Sequence, residues 1–374
     1  ARQNRANDAI AEAKRGGGGA EAEIAEMREL AGRLKELDGE LRQVEEARDQ
    51  GAAQLPNLPD PDAPDGMTEE DAVVLHEVGE RPSFDFEISD HLEIGTSLGL
   101  IEMEAAGQAS GSRFAYLLGD LVLVEMALVR YALDLLRGEG HEPVVPPVLV
   151  REEPLFATGF LPGDRDQLYE LPRDELFLVG TSEVSLAALH ADQILEANSL
   201  PARYAGFSTC FRREAGAAGK DTHGIFRVHQ FDKVEMFSFT EPAGSAEEHE
   251  RLLAIEERIL TELELPYRVV DIAAGDLGAS AARKFDCEAW IPSQERHREL
   301  TSCSNTTDFQ ARRLRCRYRP AEGESPKPVH TLNGTAVAVG RTLIALIENR
   351  QEEGHAFSLP EVLHTYGAPK RIEP

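Results

Sequence analysis

The stretch "LPNLPDPDAPDG" (Leu55–Gly66) limits what this chain can fold into more than any other. Proline fixes φ and has no N–H to donate, so a run this rich in Pro and Asp is neither helix interior nor central strand. It reads as a linker and divides the chain into unequal parts, residues 1–54 and 55–374. Before it, the pattern is polar and helical. Met27, Leu30, Leu34, Leu37, Leu41 and Val44 recur at alternating spacings of three and four, which is a heptad seam. A shorter segment, residues 2–15, carries Ala9, Ile10 and Ala13 on one face, and Gly16–Gly19 interrupts the pattern between the two. Two helical segments about a break predict an antiparallel helical hairpin, with a dimerising coiled coil as the alternative.

After the break the pattern becomes mixed. Residues 113–140 predict one strong helix ending in glycine. "HEPVVPPVLV" is extended, and "ELFLVG" and "RYAGFSTCFRRE" predict strands. "VHQFDKVEMFSFT" alternates apolar and polar residues and predicts the return strand of a hairpin. Residues 245–263 predict an amphipathic helix with Ser245 as its cap and Glu248 as capping-box partner. "YRVVDIA" and "KFDCEAWIP" return to strand, and "TAVAVGRTLIALIENRQ" begins as a small-residue strand and turns into a helix. Hairpin strands followed by helices predict an α+β fold, an antiparallel sheet flanked by helices.

The strongest apolar run, Leu121–Leu136, is interrupted by Glu125 and Arg130 and is shorter than the roughly 20 residues that span a bilayer, so no membrane partner is expected. No signal peptide is expected either. Cys210, Cys287, Cys303 and Cys316 show no CxxC spacing, which predicts reduced thiols, no zinc site and a cytoplasmic location. The formal net charge of −28, from 67 Asp and Glu against 39 Lys and Arg, argues against a polyanionic partner at low salt. In molar salt the Debye length is only about 3 Å and that repulsion is screened, so the same composition predicts a halophilic source.

Against this charge, "FRREAGAAGKDTHGIFRVHQFDKVEMF" (Phe211–Phe237) gathers cations. Neither GxxxxGK[ST] nor a GxGxxG after a strand occurs, so phosphates would be held by side chains, for which the arginine fork is suited. On one strand Arg212 and Glu214 would share a face and Arg213 the other; on the return strand His229, Phe231, Lys233 and Glu235 would share one. Such a face would bind a phosphate, stack a purine and hold an amine or hydroxyl; the plainer alternative is a solvated hairpin with cross-strand ion pairs. The Gly/Ala-rich loop between the strands would let a ligand approach closely. "LVGTSEVSLAALH" opens a helix with Thr181, Ser182 and Glu183, either as amine-binding groups or as a plain cap. "TLNGTAVAVGRTLIALIEN" delivers Gly340 and Arg341 to a helix N-terminus, where an arginine faces whatever the sheet binds.

In combination these stretches resemble a class II aminoacyl-tRNA synthetase, specifically the seryl-tRNA synthetase family of the common bacterial type, also found in many archaea. The Phe211–Phe237 stretch resembles motif 2, "LNGTAVAVGRTLIALIEN" motif 3, and "GHEPVVPPVLV" motif 1, whose proline (Pro146 or Pro147) would sit at a homodimer interface. "GTSE" resembles the serine-binding Thr-x-Glu, residues 298–313 the segment of metal and ATP ligands, and residues 55–80 the junction after the arm. The likeness runs from about residue 20 to the end.

The resemblance implies ATP-dependent activation of L-serine and its transfer to tRNA(Ser), with charging of tRNA(Sec) as a further option. It implies that Arg212 contacts the α-phosphate and the serine carboxylate, and that Arg341 holds the γ-phosphate. Arg213, Glu214, Val228, Phe231, Glu299, Leu300, Thr301 and Ser302 would complete the ATP site, Glu299 and Ser302 as ligands of Mg²⁺. Thr181, Ser182, Glu183, Glu235 and Thr335 would surround serine. It also makes residues 1–54 a coiled-coil tRNA-binding arm, here expected to be incomplete, and a halophilic archaeon the expected source. A carrier-protein acylating relative, an acylase of another amino acid and a dimer kept for binding alone are the alternatives.

Overall fold

The structure, a computed structural model, describes residues 21–215 and 223–374. In it the proline-rich stretch is fastened, not free. Its prolines cannot donate, so the remaining groups carry the pairing. The Asn57 N–H donates to the Ala279 carbonyl and the Asp60 N–H to the Ala282 carbonyl, both at 2.8 Å. The Asn57 amide adds bonds to the carbonyls of Ser280 and Thr306, each at 2.9 Å. The boundary between units falls in this stretch, and from Asn57 on it belongs to the second unit: the prolines keep the segment extended, and extended backbone bonds readily to its neighbours. The chain separates into two units, Ala1–Pro56 and Asn57–Pro374.

In the first unit the described residues form one helix, α1 (Glu21–Ala53). Of its seam, Met27 and Leu30 are half-buried, whereas Leu34, Leu37, Leu41 and Val44 are exposed. The proposed first limb of a hairpin and the break at Gly16–Gly19 lie outside the described residues.

The second unit is built on an eight-stranded sheet. Its elements are β1 (Val73–Val78), α2 (Asp120–Gly138), β2 (Glu142–Val144), β3 (Ala202–Phe211), β4 (Gln230–Thr240), α3 (Ser245–Glu262), β5 (Tyr267–Asp271), β6 (Arg283–Ile291), β7 (Arg296–Asn305), β8 (His330–Ala338) and α4 (Val339–Asn349). The spatial order is β1-β5-β6-β7-β8-β4-β3-β2. All pairings are antiparallel except that of β2 with β3 at one edge. The α+β expectation holds.

Alternation along β4 divides the labour of the sheet. Val234 and Met236 join the main core with Leu128 of α2, Leu252 of α3 and Leu343 and Ile347 of α4. Phe237 and Phe239 point the other way into a second core with Leu186, Ala311 and Leu314. The same face, at the other end of the strand, is left for Phe231, Lys233 and Glu235.

Two helix expectations are corrected. The helix expected from Arg113 begins at Asp120: Gly119 has φ of +57°, and Tyr116–Leu117 pairs instead with Ile101–Glu102. Ser245 does not cap α3, because Pro242–Gly244 already forms a turn leading into it; its hydroxyl donates to the Pro242 carbonyl at 3.1 Å. Nor does Glu248 close a capping box. It is buried and takes Arg203 in a fork, at 2.7 and 2.6 Å, together with the Ser238 hydroxyl. The four cysteines are free and buried. Among the described residues no helix is long and apolar enough to cross a membrane.

Candidate active site

β3 and β4 form the hairpin read from the sequence, and register sets what meets what. Glu235 lies opposite Gly206 on one side and Thr335 of β8 on the other. Glycine is needed at 206 because the Thr181–Glu183 turn crosses close above it; a Cβ there would stand 2.8 Å from Leu186 Cδ1 and 3.2 Å from the Ser182 hydroxyl. Strand β3 stops at Phe211, earlier than expected. The Arg212 N–H still donates to the His229 carbonyl at 3.0 Å, and the chain then turns away, with Glu214 at φ of +51°. Arg212 thus keeps the side that strand alternation gives it, whereas Glu214 reaches the same cavity from a left-handed turn beyond the strand. Arg213 turns away, its guanidinium 5.7 Å from the Tyr169 ring centroid. His229 also leaves the shared face, its Nδ1 2.9 Å from the Arg212 carbonyl. Residues 216–222, most of the Gly/Ala-rich loop, lie outside the described residues.

Buried carboxylates gather at one end of this face. Glu235 is ion-paired with Lys233, whose ammonium donates to the Thr181 hydroxyl at 2.7 Å. Thr181 in turn donates to Glu235 at 3.3 Å and accepts the Glu183 N–H at 3.2 Å. On Glu183, Oε1 accepts from Gln310 Nε2 at 2.8 Å and Asn333 Nδ2 at 3.0 Å. Burial, reinforced by the Glu235 charge, raises the Glu183 pKa to about 7. Burial also pushes Glu235 above the ordinary carboxylate value, against Lys233 and Thr181, which favour its charged form. Ser182 is fully buried and its hydroxyl has no partner among the described residues.

Beside them lies a cavity of about 80 Å³ lined by Arg212, Glu214, Val228, Phe231, Leu300, Thr335, Gly340 and Arg341, with Lys233 and Glu299 also on its wall. Arg212 anchors to the Gly180 carbonyl at 3.1 Å, with its guanidinium 5.4 Å from the Phe231 ring centroid. Glu214 is held by Arg227 at 2.9 Å. The cavity opens past Glu299 and Arg341 into a cleft of about 1170 Å³ that runs towards β1.

Glu299 and Ser302 sit three apart on β7, and regular alternation would put them on opposite faces. A bulge removes the conflict: Cys287 pairs with Thr301 and Glu288 with Glu299, leaving Leu300 as the extra residue. Thr301 consequently faces helix α3, donating to Glu256 at 2.9 Å, and does not reach the cavity. Arg341 donates to the Glu299 carbonyl at 2.8 Å and stands 3.6 Å from its carboxylate. Desolvation in the cleft acts to raise the Glu299 pKa, but Arg341, Lys284 and Arg212 outweigh it and hold it below the ordinary value. Among the described residues no three His, Cys, Asp or Glu side chains are grouped to hold a metal.

The sequence reading gave no role to Arg227, Gln310 or Asn333 and did not foresee the Lys233–Glu235 pair. For Lys233 a signal was available, its strand spacing of two from Glu235; Gln310 is brought to Glu183 from far along the chain and has none.

This sheet, with a hairpin carrying arginine and carboxylate and a strand-to-helix arginine, defines a class II aminoacyl-tRNA synthetase. The profile of the tRNA synthetase class II core domain (G, H, P, S and T) matches residues 169–350, and that of the seryl-tRNA synthetase N-terminal domain matches residues 1–59. The chain is 50% identical over 352 residues to the serine--tRNA ligase of Rubrobacter xylanophilus, covering 94% of this chain and 83% of that one. It is 54% identical over 344 residues to that of Acidothermus cellulolyticus, covering 90% and 81%. The crystal structure of the Pyrococcus horikoshii seryl-tRNA synthetase complexed with ATP superposes with a TM-score of 0.94 at 39% identity, over 100% of this chain and 88% of that one. The chain therefore belongs to the seryl-tRNA synthetase family. It is an enzyme, and its reaction is the ATP-dependent joining of serine to tRNA.

Proposed function

We propose that the reaction runs in two steps on the face just described. The serine carboxylate attacks the α-phosphate of ATP, the bond to pyrophosphate breaks, and seryl-adenylate forms. The terminal ribose hydroxyl of the tRNA then attacks the seryl carbonyl and AMP leaves. Arg212 meets the α-phosphate and the serine carboxylate, Arg341 meets the γ-phosphate, and Phe231 stacks on adenine beside Glu214. Val228 and Leu300 wall that cavity. Glu235, Glu183, Thr181 and Thr335 hold the serine amine and hydroxyl. No side chain acts as a nucleophile; positioning and charge neutralisation carry the rate. A buried carboxylate that needs the substrate hydroxyl discriminates against alanine, which would leave it unpaired. For Arg213, Thr301 and Ser182 the geometry favours supporting roles over contact with substrate.

One observation supports the reading above all others: Arg212, Glu214, Phe231, Thr335, Glu299 and Arg341, from three separate stretches of sequence, line one cavity. The donors Glu299 and Ser302 fit Mg²⁺, since both offer hard oxygen on one sheet face next to Arg341. When bound, the ion neutralises phosphate charge. The exchange of ATP and pyrophosphate with each of the twenty amino acids, at low and molar salt with Mg²⁺, tests this; exchange with an amino acid other than serine, or with none, overturns it.

The remaining parts are proposed with it. Residues 1–54 form the arm that meets the long variable arm of tRNA(Ser), and tRNA(Sec) is a second possible acceptor. Val122, Leu123 and Met126 of α2 are exposed and apolar, as is Val145 beyond β2, which supports a homodimer through this face; a monomeric mass by light scattering would refute it. The acid-rich composition supports a high-salt cytoplasm as the working environment. An archaeal lineage gains no support from the relatives at about 50% identity, which are bacterial.

A further inference from the structure

Asp286 sits in the middle of β6, directly opposite Ser302 across the ladder. It is 6% exposed and lines the large cleft beside the ATP cavity, together with Glu299 and Arg341. The Ser302 hydroxyl interacts with its carboxylate. Its Oδ1 nevertheless has no hydrogen-bond donor among the described residues. The nearest cation is the Lys284 ammonium, 3.3 Å from that oxygen and two residues away on the same face of β6. A carboxylate oxygen this deep needs positive charge, and here a single ammonium at 3.3 Å supplies it.

The bulge at Leu300 is what makes this arrangement chemical. It turns Glu299 onto the face that carries Ser302, so Asp286, Ser302 and Glu299 form a triangle across two adjacent strands. Directly opposed residues have Cβ atoms about 5 Å apart, a span that one cation with ligand bonds near 2.1 Å can bridge. The donors are two carboxylates and a hydroxyl, with neither thiolate nor imidazole, a set suited to a hard divalent ion.

We propose that Asp286 is a further protein ligand of the divalent cation that accompanies ATP, and that the Lys284 ammonium holds that place until the ion arrives. This rests on reading Glu299 and Ser302 as the ion's site. Lys284 is tethered by a flexible stem, with its side chain 24% exposed, so it can withdraw toward the cleft mouth. The two residues then act in opposite directions on the same ion, Asp286 binding it and Lys284 competing with it. A purely structural Lys284–Asp286 pair would not behave in this way.

The test is Mn²⁺ binding to the whole protein in the presence of a non-hydrolysable ATP analogue, followed by electron paramagnetic resonance of the free ion. Circular dichroism and melting of each variant check the fold. Asp286→Asn should weaken Mn²⁺ binding by about tenfold to a hundredfold, and Lys284→Met should strengthen it several-fold. Glu299→Gln should weaken it as well. If Glu299→Gln weakens binding while Asp286→Asn leaves it unchanged, the inference falls and the Glu299–Ser302 site stands. If none of the three variants moves the affinity, the reading of that site falls too. Equal weakening by Asp286→Asn and Lys284→Met marks a structural ion pair and overturns the proposal.

Discussion

Glu235 on β4 and Glu299 on β7 stand on the same face of one sheet, yet they are poised in opposite ways. Burial lifts Glu235 above the ordinary carboxylate value, and Glu183 beside it reaches about 7. Glu299, half-exposed and facing Arg341 with Lys284 and Arg212 near, is held below. One end of the face is dry and short of positive charge, with Lys233 as its main counter-ion. The other is more open and rich in arginine. Physical chemistry assigns them different work. Dry carboxylates gain most from an arriving ammonium or hydroxyl, so they select, and a cationic open cleft accepts polyphosphate of many shapes, so it neutralises. On the proposed assignment of the two ends, selectivity for serine and general affinity for ATP follow from burial rather than from residue type.

The largest test of this contrast is Glu235→Ala. It should reduce serine-dependent exchange by about a thousandfold or more, with the fold intact by circular dichroism, because the proposal makes the lost group the one that requires the substrate hydroxyl. Retained exchange would refute the pocket. Next is Arg341→Ala, which should reduce kcat by about 10²- to 10³-fold as one charge-stabilising donor is removed. Its effect should fall on ATP turnover and leave the KM ratio of serine to alanine unchanged. A change in amino-acid preference in this variant would mean that the two ends are not separate in function.

The residues of this contrast were legible in the sequence, but the contrast was not. Glu235, Glu299, Arg212 and Arg341 stand out by spacing, charge and likeness to a family. The sheet order and the burial that set their pKa values do not. Period-two reasoning worked along β4, where Phe231, Lys233 and Glu235 share the site and Phe237 its neighbouring core. It stops short of Glu214, where the backbone turns left-handed, and it does not hold between Glu299 and Ser302, which the bulge puts on one face although they are three apart. Both are backbone irregularities that no side-chain pattern encodes. Gln310 and Asn333 are a different failure: their role exists only because distant strands and a helix bring them to one carboxylate oxygen of Glu183. The proline stretch marked the boundary between units but gave no sign that Asn57 and Asp60 bond to Ala279 and Ala282, because backbone pairing leaves no side-chain pattern.

The finest test uses Glu183, where stability and binding pull in opposite directions. With a pKa of about 7, the residue is half-ionised near neutrality in the unliganded protein. If its carboxylate takes the serine ammonium, KM for serine should rise about tenfold for each pH unit below 7 and level off above it. Glu183→Gln should raise KM and abolish that slope; an unchanged slope would assign the titration elsewhere. The same shift acts on folding. The folded protein holds the Glu183 proton more tightly than the unfolded chain, whose ordinary value is 4.5. Stability is therefore lost as pH rises from about 4.5 to about 7 and stays lower beyond, by about 3 kcal/mol. Glu183→Gln removes that loss because its amide oxygen still accepts from Gln310 and Asn333 and no charge is buried. At pH 8 this variant should melt higher than the parent while binding serine worse, and the gain should vanish near pH 4.5. Excess serine should narrow the difference at pH 8 by stabilising only the parent. A variant that melts lower at pH 8 would show that the carboxylate is already compensated in the free protein, and the selective end of the face would then owe its chemistry to Lys233 rather than to burial.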